Sequence, residues 1–119
     1  MSGSVHWVVE GEIKEGKLDA FKELMDEMVD ATRAQEPEAL TYEWYVGEDG
    51  QRCQLFERYK DSAAAMTHLG NFRRNFAERL MAVVTLTGLT VYGDPDESVR
   101  GALSDFDPHY FSMIGGFAR

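Results

Sequence analysis

The chain has 119 residues, 44% hydrophobic and 12% aromatic, with 12 Lys and Arg against 21 Asp and Glu for a formal charge of -9. That length suits one globular domain that buries enough surface to fold without a disulfide or structural metal. The acidic excess repels phosphate backbones and anionic bilayers, so nucleic acid and membranes are not expected partners; the single cysteine, Cys53, excludes an internal disulfide and a multi-cysteine metal site.

The opening residues carry neither a basic leader nor a long apolar stretch, and a reducing, cytoplasmic location is expected. Residues 5–13 alternate Val5, Trp7, Val9 and Ile13 with His6, Val8, Glu10 and Glu12, the period of a strand. From Lys17 to Gln35, Leu18, Phe21, Leu24, Met25, Met28 and Val29 recur at helical spacing, with acids and bases on the other side, and Glu36-Pro37-Glu38 ends the helix. Residues 40–46 and 52–59 are aromatic and β-branched runs joined by Gly47-Glu48-Asp49-Gly50-Gln51, a hairpin. Asp61 caps a second helical region that is expected to break at Gly70-Asn71 before Phe72, Phe76, Leu80 and Met81 resume the apolar stripe. Residues 83–92 read as a fourth strand with Gly88 at a bulge or close approach.

The order strand, helix, strand, strand, helix, strand predicts an α+β, ferredoxin-like βαββαβ domain over residues 1–93, two helices covering one face of an antiparallel sheet. Large side chains fall on both sheet faces, Tyr42 and Trp44 against Tyr45 and Leu55 against Phe56, so the open face is expected to meet a second copy in a homodimer. Residues 94–119 read as a short helix through Val99, Ala102 and Leu103, followed by an apolar tail with Tyr110, Phe111, Met113, Ile114 and Phe117. That tail either packs on its own sheet edge or crosses to a partner.

The run Glu57-Arg58-Tyr59-Lys60-Asp61-Ser62-Ala63-Ala64-Ala65-Met66-Thr67-His68, in which a strand ending Glu-x-Tyr enters a helix with a histidine eleven positions after the Glu, resembles the antibiotic biosynthesis monooxygenase domain family. The segments Val8–Lys17 and Tyr42-Glu43-Trp44-Tyr45 are also similar to that family, over roughly residues 5–93 in all. The resemblance implies a dimeric α/β barrel with a cavity between sheet and helices, and oxygenation of electron-rich aromatic substrates, quinols or polyketide-like molecules, without flavin or metal. Relatives of the same fold degrade haem with an Asn on the first strand and a Trp on the helical side; neither is present here, so haem degradation is not expected.

His68 and Glu57 are the candidate catalytic pair. Glu57 shares a sheet face with Leu55 and Tyr59, and if the helices cover that face, its carboxylate meets His68, fixes the ring's tautomer and makes it a base toward a phenol or enol. The alternative is that the pair only ties helix to sheet. Tyr42, Trp44, Tyr59, Phe72 and Phe76 are the candidate lining for a flat aromatic ligand. Arg58, Arg73, Arg74 and Arg79 are expected mainly in surface ion pairs. His6, His68 and His109 show no metal-ligand spacing, and no cofactor is expected. A non-catalytic module of the same fold, binding a small ligand or simply pairing, is the competing function.

Overall fold

Period-2 alternation makes β1 (Val5–Ile13) the centre of the sheet in a computed structural model that describes residues 3–119. Its odd-numbered residues Val5 and Trp7 are buried, and β1 pairs antiparallel with both β3 (Arg52–Tyr59) and β4 (Val84–Gly93). β2 (Ala39–Val46) completes the hairpin with β3 and forms one sheet edge. Gly11 is where the backbones crowd: a Cβ there would lie 2.7 Å from Val84 Cγ1. The bulge falls beside it, between Glu10 and Gly11 and opposite Leu86–Gly88.

Helices α1 (Leu18–Gln35), α2 (Ser62–Asn75) and α3 (Ala77–Val83) pack their apolar stripes against one sheet face. Asp61 caps α2, its carboxylate accepting the Ala64 N–H at 2.8 Å. The expected break at Gly70-Asn71 is displaced to Phe76, whose φ of -135° and ψ of -21° end α2. Gly70 stays helical because a single glycine costs only about 1 kcal/mol within a helix. The Arg74 guanidinium lies over it, 3.2 Å from where a Cβ would be. The turn at Phe76 lets Phe72 and Phe76 both pack on the cluster of Phe21, Met28, Leu80 and Val84.

The chain differs from a bare βαββαβ unit at its carboxyl end. Helix α4 (Glu97–Leu103), capped by Asp96, buries Val99, Ala102 and Leu103 against α2 and the sheet. A 3₁₀ turn, Ser104–Phe106, then leads to β5 (His109–Phe111), which pairs parallel with β4 and extends the sheet to the order β2-β3-β1-β4-β5. Beyond it, Met113, Ile114 and Phe117 are exposed. Among the described residues, no helix is long and apolar enough to cross a membrane.

The core lies in two clusters, one under α2 and α4 (Val5, Trp7, Tyr59, Leu69, Val91, Val99, Leu103) and one under α1 and α3 (Ile13, Phe21, Leu24, Met28, Leu80, Val84). Because α4 belongs to the first cluster, Leu103→Ala is expected to lower unfolding free energy by about 2–4 kcal/mol in urea titrations, as for a buried leucine. A change below about 0.5 kcal/mol would show that the helix is an appendage.

Candidate active site

Three side chains from three elements converge between sheet and helices. Alternation along β3 buries Cys53, Leu55, Glu57 and Tyr59 and turns Arg52, Gln54 and Phe56 outward, so Glu57 faces the helices. The α2 stripe of Ala64, Ala65, His68 and Leu69 faces the sheet. Glu36 ends α1: its N–H still bonds the Thr32 carbonyl, but Pro37 disfavours a helical residue before it, and Glu36 leaves the helix at φ -128°, ψ 78°. The carboxylate then meets α2.

His68 lies between these two acids. Its Nδ1 donates to Glu36 Oε1 at 2.9 Å, and its Nε2 stands 3.3 Å from Glu57 Oε1, with all three side chains at least nine-tenths buried. Burial alone would lower the histidine's pKa, but the hydrogen bonds and charges of Glu36 and Glu57 overcome it and raise the value to about 9. At neutral pH the His68 ring is therefore held as an imidazolium, paired with the Glu36 carboxylate. The rings of Tyr42 and Tyr59 flank the imidazolium, their centroids 5.2 and 5.0 Å from it.

The two acids differ in what remains free. Glu36 is saturated, its Oε2 accepting from Asn71 Nδ2 at 3.2 Å. Burial would raise its pKa; the bonds from His68 and Asn71 and the imidazolium charge instead hold it below the usual carboxylate value. Glu57 uses Oε1 twice, toward His68 and for the Tyr59 hydroxyl, which donates at 2.7 Å. Its Oε2 has no partner among the described residues and is not sealed from solvent.

Glu57 opens onto a cavity of about 380 Å³ at the seam between the two core clusters. Trp7, Leu55, Leu69, Phe72, Leu80 and Leu89 supply apolar walls, and Tyr42, the cross-strand partner of Glu57, supplies a hydroxyl. Burial, then the Glu57 charge, pushes that phenol well above its ordinary pKa, so it remains a donor. The volume lies in the range of small-molecule pockets, roughly 300–1,000 Å³.

Of the residues expected at the site, His68, Glu57, Tyr42 and Phe72 line this cavity; Trp44, Tyr59 and Phe76 do not. Trp44 and Phe76 pack on the second core cluster. The Trp44 indole N–H is the one buried side-chain polar atom without a hydrogen-bond partner among the described residues. Tyr59 is fully buried and meets the site through its bond to Glu57 and its ring contact with His68. The four arginines stand elsewhere: Arg58 on Ser4, Arg73 on the Ala102 carbonyl, Arg74 on Asn71, and Arg79 in an exposed pair with Glu27. Glu36 was missed. The signal was present, since Phe21, Leu24, Met28 and Thr32 form a buried stripe whose next step of four is Glu36.

A sequence model of the family described as antibiotic biosynthesis monooxygenase matches residues 4–85. The chain belongs to the antibiotic biosynthesis monooxygenase family. Among solved structures, this monooxygenase-family chain is similar to MupZ from Pseudomonas fluorescens at 26% identity and TM-score 0.87, over 100% of this chain and 91% of that one. Rv0793 from Mycobacterium tuberculosis is 29% identical with TM-score 0.59, over 80% of this chain and 98% of that one. SnoaB, a cofactor-independent oxygenase from Streptomyces nogalater, solved as the mutant N63A, shares the fold at 16% identity and TM-score 0.66, over 80% of this chain and 96% of that one. No curated protein matches the sequence.

The raised His68 pKa contributes stability that is complete below about 6.5 and is lost as pH rises through about 9. The lowered Glu36 pKa contributes stability that is complete above about 4.5 and is lost as pH falls. Urea unfolding should therefore show the two contributions together between about pH 4.5 and 6.5, with a decline from about pH 7 to 10. His68→Gln should remove the alkaline decline and, by leaving two buried carboxylates without a counter-charge, cost about 3–5 kcal/mol at pH 6. An alkaline decline unchanged in the variant would show that another group titrates there.

Proposed function

We propose that this chain is a cofactor-independent monooxygenase of a small electron-rich aromatic substrate, a quinol or polyketide-like molecule, with Glu57 accepting the substrate proton. The observation that carries this reading is the free Oε2 of a buried Glu57 opening onto a largely apolar cavity. His68 was expected to be the base. With both its ring nitrogens against carboxylates, it acts instead through Glu57, fixing the carboxylate and balancing its charge. A carboxyl group fixed at one oxygen by His68 and Tyr59, on the wall of an apolar cavity, is positioned to take a proton from a phenol or enol.

In this reading Tyr42 donates a hydrogen bond to the developing enolate, and the apolar walls keep water out. The substrate anion passes one electron to O₂, and the radical pair recombines as a hydroperoxide. At a CH₂ carbon, loss of water from that hydroperoxide leaves a carbonyl, one oxygen atom in the product and the other in water. A cytoplasmic setting, where Cys53 stays reduced, suits the chain.

Oxygen uptake with a panel of anthrones and quinols tests the proposal. Glu57→Gln is expected to lower kcat by about a hundredfold or more with little change in KM, the usual loss for a positioned proton acceptor. Turnover that survives this change removes Glu57 from the chemistry. The second reading, a ligand-binding module without turnover, is favoured by the way Glu36, His68 and Glu57 tie α1, β3 and α2 together. Saturable binding of the panel with no oxygen consumed would select it.

The proposal includes a homodimer formed through the helix-free sheet face. Tyr45 packs on Phe56, and His6, Tyr92 and Phe111 stack in a row on that face. Tyr45, Phe56 and Phe111 are exposed by 49, 41 and 57%, an apolar surface suited to a self-complementary contact. Light scattering at micromolar concentration should report the mass of two chains, and Phe56→Glu should shift it toward one. A wild-type monomer would refute the pairing.

A further inference from the structure

The cavity has a second polar region unconnected to His68. Leu103, Asp105, Phe106, Asp107 and His109 line it, all beyond the residues that match the family model. These residues form a strap held at both ends. Upstream, Val99, Ala102 and Leu103 are buried, and Arg73 donates to the Ala102 carbonyl at 2.5 Å. Downstream, His109 and Tyr110 pair with Thr90 and Val91, and the Arg100 guanidinium lies 4.2 Å over the Tyr110 ring.

Between the anchors the backbone is strained. Asp107 has φ 51° and ψ 57°, the one positive φ at a non-glycine residue among those described, and it precedes Pro108, where such a conformation is further disfavoured. The anchors hold the turn in this shape. It places Asp105, Phe106 and Asp107 along the cavity wall.

The charge of the lining is one-sided. Glu57, Asp105 and Asp107 are acids, the His68 cation is already matched by two carboxylates, and no lysine or arginine lines the cavity among the described residues. Apart from the His109 imidazole on the strap, an entering carboxylate or phosphate finds no side chain to pair with, and the chain's -9 adds to the repulsion. An uncharged aromatic finds apolar walls, and a cationic group finds acids.

We infer that the strap Leu103–His109 is the specificity wall of this cavity, and that Asp105 and Asp107, together with Glu57, restrict the ligand to uncharged or cationic aromatic molecules. The inference rests on the proposed use of the cavity as the ligand site and narrows its substrate class.

Three probes on one skeleton test it: 2-naphthol, 6-hydroxy-2-naphthoate and the corresponding 6-aminomethyl-2-naphthol. Binding is followed by calorimetry and by the His68 imidazole signals in NMR, which report occupancy beside Glu57. At low salt the carboxylate should bind at least tenfold more weakly than 2-naphthol, and the aminomethyl compound at least as tightly. The gap should narrow with added salt, since the strap carboxylates are exposed and screened. In Asp105→Asn/Asp107→Asn the ratio of naphthol to carboxylate affinity should fall to threefold or less; Asn tolerates the left-handed conformation as Asp does, so the turn is kept. Equal binding of carboxylate and naphthol to the wild type, or an unchanged ratio in the variant, overturns the inference while leaving the cavity as the ligand site. If no probe moves the His68 signals, the cavity reading itself falls and the inference falls with it.

Discussion

A buried imidazolium held between two carboxylates is the constraint around which this chain is arranged. Each carboxylate alone would be costly in an apolar interior, and the histidine alone would give up its proton. Together they pair with one another, and Asn71, Tyr59 and the flanking tyrosine rings complete the cluster. Because the three members come from the end of α1, from β3 and from α2, the cluster also fixes how those elements sit. The contacts that position Glu57 at the cavity are the same contacts that hold the helices on the sheet.

The cavity follows from how the core divides. Two apolar clusters fill the space beneath the helices, and the pocket opens along the seam between them, with residues of each in its walls. The part of the chain that matches the family model supplies the floor and Glu57; the carboxyl-terminal strap supplies another wall. In the proposed reading this division separates the group that takes the proton from the wall that selects the ligand.

Strand alternation on β1 and β3, the Asp61 cap and the order of elements were legible in the sequence because each rests on local periodicity or on a single capping contact. Glu57 and His68 were legible because each lies on a clearly buried stripe. Glu36 was not, since it stood beside a proline and read as a helix stop; the stop itself turns its side chain inward. Trp44, Tyr59 and Phe76 were chosen as aromatic residues near the site, but periodicity says which face a ring takes, not whether it meets a void or a neighbour. The helix break moved from Gly70 to Phe76 because tertiary packing outweighed a local preference. The strap was unreadable as a cavity wall, because its place depends on β5 joining β4, a long-range pairing.

The central position of β1 has a consequence for how the protein is made. β1 is made before β4 yet must wait for it, since Val5 pairs with Gly93 and Ile13 with Val84. Such distant pairings close slowly, and during synthesis the apolar edge of β1 stays open to wrong partners. Only the β2–β3 hairpin joins strands across a short turn, so it is the natural place for the sheet to begin. The strap is made later still and takes its place only once β5 has β4 to pair with, so the pocket's last wall depends on a sheet that is already there.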